Sequence, residues 1–118
     1  MILADTSVWV QHFRTGEPRL SRLLPDAQVY MHPHVLGEIA CGNLKNRAAV
    51  LGALGALPPA VSATDDEVMD LIEGRRLWGR GLGWTDQHLI ASALLSHCGL
   101  LTLDKRLAEA AADVGVGS

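Results

Sequence analysis

The sequence predicts an α/β protein with a central parallel sheet of four to five short strands, flanked by helices on both faces. Short runs of continuously apolar residues, such as 1–4 and 100–103, are typical of strands buried on both faces. Segments with helix caps and helical apolar spacing separate these runs, and a strand–helix–strand order favours parallel pairing. The 118 residues have room for one domain, which we expect to cover residues 1–118.

Each element in the first half of the chain has a recognisable beginning or end. Asp5, Thr6 and Ser7 all suit the N-cap of the helix that follows the first strand. Pro33 is suited to open a helix, and the Pro58-Pro59 pair is suited to stop one. The predicted order is strand 1–4, a helix through Trp9 and Phe13, helix 17–24, strand 28–32, helix 33–42 and helix 47–57.

The second half continues the alternation. Thr64 and Glu67 match a capping box, which predicts the start of a helix. Glycines 79, 81 and 83 predict a flexible loop, after which Thr85 is expected to cap a helix that Gly99 stops. The predicted order is strand 61–63, a helix from residue 64, a helix after residue 85, strand 100–103 and helix 104–112.

Composition limits the classes of function. The chain is 48% hydrophobic and 19% charged, which is typical of a folded core and excludes a disordered chain. No apolar run approaches the roughly 18 residues of a membrane span, and the first residues lack the pattern of a secretory signal. We therefore expect a cytoplasmic protein without a membrane partner.

The charge balance constrains any interaction with nucleic acid. The formal net charge is −3, whereas a protein that holds nucleic acid by charge alone is usually basic. Only 4% of the residues are aromatic, so a base-stacking platform is not expected either. If the chain acts on a polyanion, a bound metal ion is the obvious group to bring the phosphate in.

Four acidic residues are expected at one edge of the sheet, where α/β proteins bind their ligands. Asp5 follows the first strand, Asp104 follows the last, and Asp86 lies in the first turn of a helix after the glycine-rich loop. Glu38 lies within helix 33–42. Each aspartate alone is also explained as a helix cap or as a charge near the positive end of a helix, and Glu38 alone as a surface residue.

The cluster as a whole is harder to explain structurally. Two carboxylates about 4 Å apart repel each other by about 4 kcal/mol at an effective dielectric constant near 20. Four such groups need protons or a cation to persist together. Ligand sets made only of oxygen favour Mg²⁺ or Mn²⁺ over zinc, so these two ions are the expected cofactors.

The motifs that carry these acids resemble those of the PIN-domain ribonucleases, and within that family the VapC-type toxins of bacterial toxin–antitoxin pairs. The resemblance covers nearly the whole chain, although each motif alone is weak. It runs through Asp-Thr-Ser at 5–7, Val-Leu-Gly-Glu at 35–38, Gly-Trp-Thr-Asp at 83–86 and Leu-Thr-Leu-Asp at 101–104. After residue 112 the family's final edge strand is expected to be short or missing.

The resemblance implies a role for each site residue. Asp5, Glu38, Asp86 and Asp104 would form the acidic catalytic pocket, with Asp5 and Asp86 as metal ligands and Asp104 as a ligand directly or through water. Glu38 would orient the attacking water or hold a second ion. The supporting residues Ser7 and Thr102 would form hydrogen bonds with the carboxylates or with water.

The resemblance also implies partners: an RNA substrate, a second copy of the chain in a homodimer, and a cognate antitoxin. The basic tail of the antitoxin would lie near Trp9, Phe13 and Glu38 and place a cation in the pocket. For Trp9 and Phe13, exposed anchors and ordinary core packing remain open alternatives. The main alternative function is a non-catalytic α/β module that binds RNA or protein.

Several side chains near the predicted edge have two open interpretations. Arg14, Lys105 and Arg106 are either contacts to the phosphates that flank the cleaved bond or solvated charges. His88, two residues after Asp86, is either a substrate contact or an ordinary helix histidine.

Overall fold

The structure is a computed structural model that describes residues 1–118. It confirms the α/β class, although four helices in succession, from residue 33 to residue 95, separate the second strand from the third. The strands are β1 (Ile2–Ala4), β2 (Val29–Tyr30) and β3 (Gly99–Leu101). The helices are α1 (Thr6–Thr15), α2 (Pro18–Leu23), α3 (Pro33–Ala40), α4 (Arg47–Gly55), α5 (Asp65–Arg75), α6 (Trp84–Leu95) and α7 (Lys105–Asp113), with a 3₁₀ turn at Leu24–Asp26.

The sheet is parallel and has three strands in the order β2-β1-β3. The central strand, β1, is buried along its whole length, and its Ile2 pairs with Val29 on one side and with Gly99 on the other. Asp5 and Thr102 directly follow β1 and β3. Because β1 and β3 are parallel neighbours, these two residues lie side by side at the carboxyl edge.

The prediction of four to five strands is wrong, because the two outer positions hold only single bridges. Met31 bridges to Pro59 beyond β2, and Leu100 bridges to Gly117 beyond β3. Residues 61–63 are not a strand. The backbone of Val61 instead bonds to two serine side chains of α6: its N–H donates to Ser96 Oγ at 2.8 Å, and its carbonyl accepts from Ser92 Oγ at 2.6 Å. The final edge strand is reduced to the one bridge at Gly117.

The main hydrophobic core is a cluster of 24 buried residues drawn from the strands and from the helices packed on them. Helix α6 is the most buried helix, since its residues 87–93 are all buried, and it gives Leu89, Ile90 and Ala93 to this cluster. Trp9 is only 1% exposed and belongs to this core, so it is a core residue and not an exposed interface anchor. Phe13, one turn further along α1, is 41% exposed. None of the helices has the length and apolar character needed to cross a bilayer.

Helix starts follow the capping signals in most places. Thr64 and Glu67 form the predicted reciprocal capping box at the start of α5. Helix α6 differs, because it starts at Trp84 with Gly83 as its N-cap, and Thr85 therefore lies in the first turn. The side chain of Asp86 accepts a hydrogen bond from the Gly83 N–H at 2.9 Å, which stabilises this earlier start.

Candidate active site

Asp5 is the most firmly held carboxylate at the carboxyl edge of the sheet. It is 7% exposed, and its backbone N–H donates to the carbonyl of Leu101 at 3.0 Å. The hydroxyls of Ser7 and Thr102 both donate to its carboxylate, one to each oxygen, and the Val8 N–H donates at 3.2 Å. Both carboxylate oxygens are therefore held in place by protein donors.

The same two hydroxyls connect the ends of β1 and β3. Ser7 Oγ also accepts from the Leu103 N–H at 3.1 Å, and Thr102 Oγ1 accepts from the Asp104 N–H at 3.0 Å. Each hydroxyl thus donates to Asp5 and accepts from the segment that carries Asp104. This network sets the relative position of two of the four acids.

Asp86 and Asp104 lie at helix starts. Asp104 is the N-cap of α7 and accepts from the Leu107 N–H at 3.1 Å, whereas Asp86 accepts from the Gly83 N–H. Asp5 is itself the N-cap of α1. The capping explanation is therefore correct for Asp5 and Asp104, and it is compatible with a site role because a carboxylate has two oxygens and can accept several bonds.

Glu38 approaches the site from α3. It is exposed, and its Oε1 accepts a hydrogen bond from Thr6 Oγ1 at 2.6 Å. From the sequence, Thr6 was expected only as a candidate N-cap within the Asp-Thr-Ser motif, and Asp5 takes that position. Only the tertiary contact between α1 and α3, across 32 residues of sequence, reveals that Thr6 holds Glu38.

Electrostatics connect all four acids. Burial raises the pKa of Asp86 above its ordinary value, and the negative charges of Asp104, Asp5 and Glu38 raise it further, whereas the hydrogen bond from Gly83 lowers it. The structure has two ion pairs, Arg80–Asp113 and His88–Asp65, and neither involves these four carboxylates. The site is a region of negative charge with no cationic side chain paired to it.

The donor chemistry of this site fits a hard divalent cation. All four side chains offer carboxylate oxygens, which Mg²⁺ and Mn²⁺ prefer. No three acidic, histidine or cysteine side chains converge closely enough to form a ready-made metal site. Asp5 is fixed by its donors, so convergence would require rotation of the more exposed Glu38, Asp86 and Asp104 side chains.

His88 lies beside this site but is not aimed at solvent. It is 4% exposed, its Nε2 lies 3.1 Å from Asp65 Oδ1, and its ring packs against Trp84 with the ring centres 4.8 Å apart. His34 also packs against this ring, with the ring centres 4.6 Å apart. These contacts support the structural alternative for His88 over a substrate contact.

A groove of about 510 Å³ runs between α1 and α3, next to Glu38. We call it the α1–α3 groove. Its walls include the exposed aromatic ring of Phe13 and the side chains of Val10, Arg14 and Lys45, and Glu38 and Thr6 also line it. Of the four carboxylates, only Glu38 lines this groove.

Comparison with known proteins identifies the family. The PIN domain profile matches residues 2–113. The chain is 48% identical over 117 residues to the protein named Ribonuclease VapC32 from Mycobacterium tuberculosis strain CDC 1551, and equally to the protein of that name from strain H37Rv. Each alignment covers 98% of this chain and 94% of the relative. The resemblance noted from the sequence motifs is confirmed, and the chain belongs to the PIN domain family as a relative of the VapC ribonucleases.

Proposed function

We propose that this chain is a metal-dependent endoribonuclease that acts as a growth-inhibiting toxin and is neutralised by a cognate antitoxin. The observation that carries the proposal is the group of four unpaired carboxylates, three of which raise the pKa of the fourth. The relative named as a ribonuclease supports RNA as the substrate. An RNA substrate favours action in the cytoplasm, which is part of this proposal.

Asp5, Asp86 and Asp104 would hold Mg²⁺ or Mn²⁺ in this function. When bound, such an ion lowers the pKa of a water molecule and stabilises charge on the phosphate and leaving-group oxygens. The chain itself supplies position: Ser7 and Thr102 fix the Asp5 carboxylate, and Gly83 holds that of Asp86. Glu38, held by Thr6, would orient the attacking water from the α3 side.

The test is cleavage of RNA by the purified chain with and without Mn²⁺. Asp5→Asn and Asp86→Asn keep the side-chain size and remove the charge, so both should abolish cleavage while the far-ultraviolet circular dichroism spectrum stays native. Asp70→Asn, on the exposed face of α5 and outside the site, is the matched control and should cleave normally. Full activity of either site variant, or of the wild type after chelation, would show that the assignment is wrong.

The same experiment separates the proposal from the alternative of a non-catalytic module. A module that only binds RNA or protein would bind without cutting in every metal condition. The net charge of −3 gives that alternative some support, since few cations are available to hold a nucleic acid. Metal-dependent cleavage that the Asp86→Asn variant lacks would exclude it.

We propose that the antitoxin tail occupies the α1–α3 groove and places an Arg or Lys beside Glu38. Phe13 provides an exposed aromatic anchor there, of the kind that dominates protein interfaces. Trp9 is buried and is not part of this surface. Truncating the basic tail of the co-expressed partner should release nuclease activity, and so should Phe13→Ala in the toxin. Full silencing by the truncated partner would contradict this mechanism.

We further propose a homodimer, on the strength of the family resemblance. A dimer would place two carboxylate sites on one particle. Sedimentation velocity of the purified chain across a concentration series measures the association directly. A monomer at all concentrations would contradict this part of the proposal and leave the nuclease assignment untouched.

A further inference from the structure

The side chain of Arg106 packs on a glycine of the loop that precedes α6. Arg106 lies in the first turn of α7, two residues after Asp104. Its side chain covers Gly81, where a methyl group would lie 2.5 Å from Nη1 and 2.8 Å from Cδ of the arginine. Gly81 also has φ +77°, which residues with a side chain rarely adopt. Glycine therefore provides both the backbone conformation and the space that Arg106 occupies.

Arg106 has no acidic partner. Arg80, the residue before Gly81, does have one: it forms an ion pair at 2.7 Å with Asp113, at the other end of α7. Arg106 is exposed and takes part in neither of the two ion pairs of the structure. The loop is thus attached to α7 at two places, and at one of them the positive charge remains free.

The position of this free charge connects two of the four acids. Gly81 belongs to the loop that leads to Gly83, whose N–H holds Asp86, and Arg106 belongs to the helix that Asp104 caps. Arg106 therefore joins the helix that Asp104 caps to the loop that precedes Asp86, and it forms an ion pair with neither carboxylate. An arginine presents a planar set of donors that matches the oxygens of a phosphate.

We propose that Arg106, seated on Gly81, binds a non-bridging phosphate oxygen of the RNA strand next to the cleaved bond. This inference rests on the proposed ribonuclease function and adds a specific subsite to it. An acidic chain with a net charge of −3 needs local cations to hold a polyanion close to four carboxylates. The structure distinguishes Arg106 from Lys105, for which it gives no comparable seat.

The test is the salt dependence of RNA binding, measured by fluorescence anisotropy with a labelled single-stranded oligoribonucleotide in the presence of a chelator. Each phosphate contact contributes about 0.7 to the slope of log affinity against log salt for single strands. Arg106→Gln should lower the magnitude of this slope by about 0.7. The matched control is Arg22→Gln, an exposed arginine on α2, which leads into the start of β2 at the opposite edge of the sheet. Its slope should equal that of the wild type.

Gly81→Ala tests the position of the Arg106 guanidinium group separately from its charge. This variant keeps the net charge but displaces the guanidinium, so it should also lose about 0.7 of the slope. Circular dichroism checks that it folds, and if it does not fold, Arg106→Gln alone decides. Arg106→Lys should fall between the wild type and Arg106→Gln, because a lysine keeps the charge and loses the planar donor set.

An unchanged slope for Arg106→Gln, or an equal decrease for Arg22→Gln, would overturn the subsite. Unchanged RNA binding combined with weaker binding of the co-expressed antitoxin would also overturn it and would assign Arg106 to a protein interface. Failure of the proposed function gives a different result, namely no metal-dependent RNA cleavage by the wild type. A chain that cuts RNA with a slope independent of Arg106 retains its function and lacks this subsite.

Discussion

Replacing Asp104 separates its capping role from its charge. Asp104→Ala removes the acceptor for the Leu107 N–H at the start of α7, and the loss of an N-cap costs about 1 kcal/mol. For a chain of this length that corresponds to a decrease in Tm of about 4 °C. Asp104→Asn keeps an oxygen that can accept the same bond and removes only the charge.

Two opposing terms set the effect of removing that charge in the metal-free protein. A carboxylate at the positive end of a helix stabilises by about 0.3–1 kcal/mol. The repulsion that Asp104 exerts on the half-buried Asp86 opposes this, and two unit charges about 4–8 Å apart in a water-like dielectric repel each other by about 0.5–1 kcal/mol. The terms largely cancel, so the Tm of Asp104→Asn should lie within about 3 °C of the wild type.

The assay is thermal unfolding followed by circular dichroism in the presence of a chelator, with RNA cleavage measured in Mn²⁺ on the same preparations. Thr64→Ala, which removes the cap of α5 outside the site, is the control and should lose about as much stability as Asp104→Ala. Both Asp104 variants should lose cleavage. An Asp104→Asn variant as unstable as Asp104→Ala would show that the charge, and not only the hydrogen bond to Leu107, stabilises α7. Normal cleavage by Asp104→Asn would show that catalysis does not need this charge.

Three further outcomes are expected. Burial, together with the positive charges of His34 and His88, lowers the pKa of His32 to about 4. Below about pH 6.5 the unfolded chain therefore binds a proton that the folded chain excludes. The free energy of unfolding should fall between pH 7 and pH 4 as a result, by at most about 3 kcal/mol. Urea denaturation at several pH values measures this, and an equally steep fall in His32→Asn would contradict it. Mg²⁺ or Mn²⁺ at a hundred times its Kd should stabilise the wild type by about 2.7 kcal/mol, seen as a higher Tm, and an equal rise in Asp86→Asn would place the ion elsewhere. Thr102→Val removes the hydroxyl that donates to Asp5 and leaves the Asp104 N–H without its acceptor. It should lower the free energy of unfolding in denaturant by about 1–3 kcal/mol and abolish cleavage, whereas Thr102→Ser should keep wild-type stability and cleavage. Equal results for the two variants would argue against the network.

The parts of the fold that could be predicted from the sequence are those with local causes. The apolar run before Asp5, the capping box at Thr64 and the proline at the start of α3 all act within a few residues. The number of strands could not be predicted in this way. Whether residues 61–63 join the sheet is decided by Ser92 and Ser96, which lie about 30 residues away and bond to the backbone of Val61.

The site shows the same division. The four acids could be selected because each follows a strand or lies in a recognisable motif, and the order of strands brings the segments together. The hydrogen bonds from Thr6 to Glu38 and from Thr102 to Asp5 span 32 and 97 residues, respectively, and depend on the final packing. The seat of Arg106 on Gly81 is likewise a tertiary contact, and the sequence alone left three basic residues equivalent.

The single bridges beside β2 and β3 have a consequence for how the molecule meets its neighbours. Unpaired strand edges are the usual starting points for intermolecular strand addition and aggregation. Here residues 58–60 cover one edge and residues 116–117 approach the other, and Pro59 has no N–H to offer to a further strand. Both edges of the sheet are therefore poor templates for strand addition, and the sheet is not expected to grow by pairing with the strands of other molecules.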